Sequence, residues 1–276
     1  MEKELFQRFL NDGHRTGTGD EWLKIGPLKL FTDGSLGART ALMRQDYADE
    51  PGTRGISTLS QEDLDGLVAL AEESKMQVAV HAIGDKAIEM CLDSYAKVLK
   101  DGKNPNRHGI VHCQITDQAL LRRFRTLDVL AFVQPIFIDY DMNICQSRIG
   151  EALTSTSYAW RNLYENGVHV SFGTDCPVEL PDVLGGIQCA VTRKTLKDQI
   201  GPYLPDQAFT VQEAIDSFTT RSAEGSFEES FKGRIAPGMA ADFVVLDQNL
   251  FEIPENAIKD VKVCGTYVAG KKVYQM

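Results

Sequence analysis

Five short apolar runs recur along this chain at helix-sized intervals, and that alternation limits its fold more than any other feature. The runs are 27–32 (PLKLFT), 76–81 (MQVAVH), 109–112 (GIVH), 128–134 (DVLAFVQ) and 168–173 (VHVSFG), each brief and rich in Val, Ile or Phe. Between them the apolar spacing becomes helical, at 60–74, 85–100, 117–125 and 156–166, with a further helix at 210–224. Ser60, with Asp63 three residues on, reads as the cap that opens the first of these. Strand, helix, strand in this order predicts parallel βαβ units, because parallel neighbours need a crossover of that length. From about residue 233 the texture changes. GRIAPGMAADFVVLD and VKVCGTYVAGKKVYQM read as Gly-punctuated strands with no helix between them. The chain therefore divides into an α/β part over 1–228 and a small β module over 229–276.

Composition narrows the functional classes. With 276 residues, 43% hydrophobic and 25% charged, there is enough apolar surface for one large domain or two modest ones. The net charge of −10 and the lack of a basic run argue against nucleic acid as a partner. Six cysteines, at 91, 113, 145, 176, 189 and 264, lie in apolar segments with no C-x-x-C pair, which predicts reduced, buried thiols in a cytoplasmic protein. The opening MEKELFQRFL lacks an apolar signal core, and no stretch approaches the roughly 18 apolar residues of a membrane span. A membrane partner is not expected.

The residues capable of chemistry fall at strand ends. Lys29 lies in the first run, His81 ends the second, His112 ends the third, and Asp175 follows the fifth. In a parallel barrel these C-terminal ends converge on the face where loops build an active site. Imidazole nitrogen and carboxylate oxygen suit zinc and similar divalent ions, which activate water. A lysine amine is repelled by a metal, but carboxylated by carbon dioxide it becomes an anionic ligand able to bridge two ions. Gln114 and Gln134 stand near the same strand ends as candidate substrate contacts. Each residue also has a plainer reading. The histidines fit a satisfied core, Lys29 a snorkelling strand-end cation, Asp175 a turn ahead of Pro177, and Asp33-Gly34-Ser35 an ordinary turn. Asp85 after Gly84 reads as a helix start, and His108 and His169 as surface or supporting groups.

Six stretches in order, LKLFTDGSLGART, VAVHAIGDKAIEMCLDSY, RHGIVHCQITD, VQPIF, SFGTDCPVELPDVLGGIQCAVTR and GRIAPGMAADFVVLD, resemble the amidohydrolase superfamily, in its amidohydrolase-3 (YtcJ-like) branch. The resemblance runs from about residue 20 to the end. It implies a (β/α)8 TIM-type barrel joined to a small β-sandwich, metal-dependent, hydrolysing C–N bonds of amides and related small molecules. On that pattern Lys29, His81 and His112 are the metal ligands of strands 4, 5 and 6. Asp175 is the strand-8 carboxylate, a metal ligand that also deprotonates the attacking water. Asp33, Ser35 and Arg39 lie in a substrate-facing loop. Zinc is the implied metal, as one or two ions. The chain departs from the family in having no His-x-His pair. Counted against the family order it holds strands 4 to 8 and the C-terminal half of the sandwich, so the expectation is a partial barrel. Its open edges and apolar interior call for a homo-oligomeric partner or a missing N-terminal half. The alternative to an enzyme is a truncated, non-catalytic amidohydrolase-like fragment with an incomplete metal site.

Overall fold

A computed structural model describes residues 3–276. In chain order its elements are α1 (Lys3–Asn11), β1 (Leu28–Phe31), α2 (Gln61–Glu73), β2 (Val78–Ala82), α3 (Asp85–Val98), β3 (Gly109–His112), α4 (Gln118–Thr126) and β4 (Leu130–Val133). There follow α5 (Ile138–Asp141), α6 (Cys145–Thr154), α7 (Trp160–Glu165), β5 (Val170–Phe172), α8 (Val183–Thr192), α9 (Val211–Phe218), α10 (Thr220–Gly225), β6 (Phe243–Leu246), β7 (Val263–Val268) and β8 (Lys271–Gln275). This is an α/β fold in which parallel strands alternate with helices, followed by a small antiparallel sheet. It matches the expected partial barrel with its C-terminal β segment. The chain forms two compact units, one running through Phe132 and including Asn143–His169, the other comprising Val133–Met142 and Val170–Met276.

In the first unit β1 to β4 lie parallel in chain order, with Phe31 opposite His81, His81 opposite Val111 and Val111 opposite Phe132. Side chains alternate across the sheet, so Leu28, Leu30, Val78, Val80, Ile110 and Ala131 share one face and are buried. The other face carries Lys29, Phe31, His81, Val111 and Phe132, each at least partly exposed. Helices cover the first face. Ser60 caps α2 by accepting the Asp63 amide at 3.1 Å, as its spacing predicts. Behind the strands, Tyr95 of α3 donates its phenolic proton to the Gly109 carbonyl at 2.8 Å. Ala131 extends the β4 ladder by donating to the His169 carbonyl at 2.9 Å.

His108 departs from its expected surface or supporting position. It is fully buried just before β3, at the N-terminal end of that strand. Its Nδ1 accepts the Val78 amide at 3.0 Å, and Nε2 lies 2.9 Å from the Glu72 carboxylate. Tyr95 stacks on the ring at 5.4 Å. Burial lowers its pKa, with Glu72 opposing the shift.

In the second unit Gly173, just past β5, donates to the Val133 carbonyl at 3.0 Å. The Phe172 ring meets Phe209 and Phe218 edge-on, at 5.0 and 5.4 Å. β6, β7 and β8 form the antiparallel sheet, with Phe243 stacked on Tyr267 at 4.5 Å. A 3-10 segment, Glu255–Asp260, separates β6 from β7 where the sequence shows no regular helix. The helix predicted over 210–224 is divided at Thr219, with φ −120° and ψ −87°. Thr219 and Thr220 each donate a hydroxyl proton to a carbonyl four residues back, a pattern that bends helices. All six cysteines are free. Cys176 is exposed rather than buried, because it lies in the loop after β5 and not in the strand.

Candidate active site

Two imidazoles define the site. His81 sits on β2, opposite Phe31 and Val111, so alternation places it on the partly exposed face. His112 is the partner of Ala82, one residue out of step, and regular backbone would send it to the helix-covered face. It does not go there. His112 adopts φ 81° and Cys113 φ 50°, two consecutive left-handed residues that turn the chain at the end of β3. The His112 ring consequently packs edge-on against that of His81, with centroids 4.5 Å apart. The turn is held from three sides. Trp160 Nε1 donates to the Cys113 carbonyl at 3.1 Å, the Tyr158 amide to the Gln114 carbonyl at 2.7 Å, and the Ile115 amide to the Ile83 carbonyl at 2.9 Å.

The orientation of His81 is set from β1. Its Nε2 lies 2.9 Å from the Gly34 carbonyl oxygen and 3.3 Å from Asp33 Oδ1. A carbonyl oxygen can only accept, so Nε2 carries the proton and, in the neutral ring, Nδ1 carries the lone pair. Lys29 and Phe31 continue the cluster. The Lys29 amine lies 3.8 Å from the centre of the Phe31 ring, and that ring is 5.2 Å from His81.

The loop residues behave differently from one another. Asp33, expected to face substrate, is enclosed; its carboxylate accepts the amides of Leu42 at 2.9 Å, Ile83 at 3.1 Å and Gly84 at 2.8 Å. A buried carboxylate demands such donors, and these tie the loop after β1 to the end of β2. Burial and then the nearby Asp33 charge raise the pKa of Tyr47, which donates to the Ala41 carbonyl. Arg39, the second expected substrate contact, pairs with Asp49 at 2.9 Å and Glu50 at 3.1 Å, while Arg148 shares Asp49. Its guanidinium is spent inside the loop. Ser35 is exposed. Gln114 and Gln134 are buried at the ends of β3 and β4. Asp85 opens α3 and accepts the Arg44 amide at 2.9 Å; burial raises its pKa, so the helix-start reading holds. Asp175 stands exposed in the second unit in the loop after β5, with φ 58°, its carbonyl accepting the Val178 amide at 2.9 Å.

The donor chemistry of His81 and His112 fits a divalent cation, since adjacent imidazoles supply two of the nitrogen ligands such ions prefer. Two ligands fall short of a full set. Among the described residues no three His, Cys, Asp or Glu side chains stand together in a group able to hold an ion. The contact of Asp33 and Gly34 with His81, the Phe31 ring beside it and the Trp160 brace had no signal in the sequence. Each depends on a partner that only the fold supplies.

Known proteins resemble this chain in sequence and fold. The model of the amidohydrolase family matches residues 2–274. YtcJ of Bacillus subtilis (strain 168) is 36% identical over 255 residues, covering 92% of this chain and 48% of that protein. The N-substituted formamide deformylase of Arthrobacter pascens is 25% identical over 254 residues, covering 92% of this chain and 46% of its own length. Among solved structures, an uncharacterized metal-dependent hydrolase from Pyrococcus horikoshii OT3 superposes with a TM-score of 0.81 at 33% identity, over 91% of this chain and 50% of the other. The chain thus spans about half the length of the relatives it matches. A family match over nearly its whole length shows that the chain belongs to the amidohydrolase family.

Proposed function

We propose that this chain carries the catalytic half-site of a metal-dependent hydrolase acting on amide-like C–N bonds of a small molecule. The observation that carries the reading is the His81–His112 pair, 4.5 Å apart at the ends of neighbouring parallel strands, with the Nδ1 lone pair of His81 left available. His81 and His112 would hold the ion, zinc by its preference for imidazole, with Lys29 and Asp175 as further ligands, and the resemblance allows one ion or two. A divalent ion there supplies Lewis acidity toward a carbonyl oxygen and lowers the pKa of water. Asp175 accepts the proton of the attacking water. It then returns that proton to the departing nitrogen, so that an amine leaves as the carboxylate forms. Ser35, Gln114 and Gln134 contact substrate. The formamide deformylase relative, which by its name acts on N-substituted formamides, supports a C–N bond as the target. Free cysteines throughout support a cytoplasmic setting.

Asp175→Asn is expected to abolish hydrolysis across a panel of N-acyl and N-formyl amines while zinc held by His81, His112 and Lys29, measured by elemental analysis, is retained. Full activity in that variant would remove Asp175 from the mechanism. A second reading, a non-catalytic member with an incomplete metal site, draws on the absence of a three-ligand group among the described residues. Purified chain with near-stoichiometric zinc supports the enzyme. Chain that holds none after zinc loading and desalting supports the second reading.

A further inference from the structure

We infer that Asp33 is a positioning residue which, with the Gly34 carbonyl, fixes the tautomer and aim of His81. This rests on the reading of His81 as a metal ligand. The side chain of Asp33 has no exposure, and its Oδ2 is taken by the amides of Leu42 and Gly84. Oδ1 accepts the Ile83 amide and keeps one open side, and there His81 Nε2 lies at 3.3 Å. The next residue puts its carbonyl 2.9 Å from the same nitrogen. Nε2–H therefore points into a carboxylate–carbonyl pair built by two consecutive residues. Neither oxygen can donate, so a proton on Nδ1 would leave Nε2 as a lone pair facing two acceptors. That tautomer is excluded by repulsion, and Nδ1 presents its lone pair to the partly exposed face. A histidine ligand that donates its second nitrogen to a carboxylate or carbonyl is the usual way of fixing ring orientation and raising ligand basicity. Asp33 also fastens the ring's support. The amides it accepts belong to Leu42 of the β1 loop and to Ile83 and Gly84 just beyond β2, so the aim of His81 and the docking of the loop depend on one carboxylate.

A residue that merely stapled the loop would leave the His81 tautomer unchanged on substitution. The test is two-bond proton–nitrogen NMR of the histidine rings in metal-free, nitrogen-15-labelled full chain, with His81→Gln used for assignment. The wild type is expected to show His81 protonated on Nε2 alone. Asp33→Asn, checked for folding by circular dichroism and by unchanged His108 ring signals, is expected to show a mixture of tautomers. Its zinc affinity, read by competition with a chelating indicator, should fall about 10- to 100-fold. A wild-type proton on Nδ1 overturns the proposal, as does an Asp33→Asn chain with wild-type tautomer and wild-type zinc affinity. If Asp33→Asn does not fold, the wild-type spectrum decides: an Nε2 proton protected from solvent exchange upholds the assignment, and an Nδ1 proton or a freely exchanging one overturns it. Hydrolysis is not the readout. A chain that meets these expectations yet cleaves no amide refutes the catalytic reading and leaves the role of Asp33 standing.

Discussion

His81 and His108 are the same side chain put to opposite uses. His81 turns one nitrogen inward to Gly34 and keeps the other available, whereas both nitrogens of His108 are committed, to Val78 and Glu72. Protonating His108 would cost it the acceptor used by the Val78 amide and place a charge in a buried site. Burial holds its folded pKa below the 6.5 of a free histidine. The folded chain therefore binds fewer protons than the unfolded one. This contribution is complete above about pH 6.5 and is lost as pH falls through the folded value. The unfolding free energy from urea titration should drop between about pH 7.5 and about 5.5, by at most about 1.4 kcal/mol per pH unit from this group. His108→Gln keeps an acceptor for Val78 and should flatten that dependence; an equal slope in both chains would refute the assignment. The sequence marked His81 because it ends an apolar run. It could not mark His108, whose burial is decided by Glu72 of α2 and Tyr95 of α3.

At the scale of elements, the HAIGD segment shows why glycine stands at position 84. A Cβ there would lie 2.0 Å from the Leu42 carbonyl oxygen and 2.5 Å from its carbon, both backbone atoms. The Leu42 oxygen accepts the amides of Lys86 and Ala87, the donors left open at the start of α3. The loop after β1 thus caps a helix whose own cap residue has no side chain. Gly84→Ala should destabilise the chain by about 1–3 kcal/mol in urea unfolding and deprotect the Lys86 and Ala87 amides in hydrogen exchange. Unchanged protection at those amides would show that the loop does not dock there. The parallel strands and α2 to α4 were legible in advance, because each has a clear apolar period, and Ser60 marks the start of α2. α8 was not. Gly185 and Gly186 lower its helical propensity, and Gly186 is required by the Phe218 ring, 2.8 Å from where a Cβ would sit. α6 was hidden in the same way by Gly150 at φ 75°.

For the molecule as a whole, the unusual feature is apolar surface left in water. Trp22 is 79% exposed and Phe31 53% in the first unit, and Ile235 is 86% and Leu180 76% in the second. Single exposed apolar residues are ordinary, but Phe31 stands on the strand face that a closed barrel would bury. Among the described residues no helix is long and apolar enough to cross a membrane, so lipid-spanning helices do not account for that surface. We expect light scattering of the purified chain to give a mass above that of one copy at micromolar concentration. Replacing Trp22 and Ile235 by Glu should lower it. A wild-type chain that stays monomeric at all concentrations would count against self-association.

The sequence by itself determined the strand–helix alternation and the family, because apolar period and motif order are local properties of a chain, and it singled out Lys29, His81, His112 and Asp175 as candidates. Only the tertiary structure decided what those residues face. It turned His112 toward His81 through left-handed backbone, enclosed Asp33 among three amides, tied Arg39 to Asp49 and Glu50, and buried His108 beside Glu72. Each outcome depends on a partner from another segment, and the energy of a buried polar group is set by the partner that satisfies it.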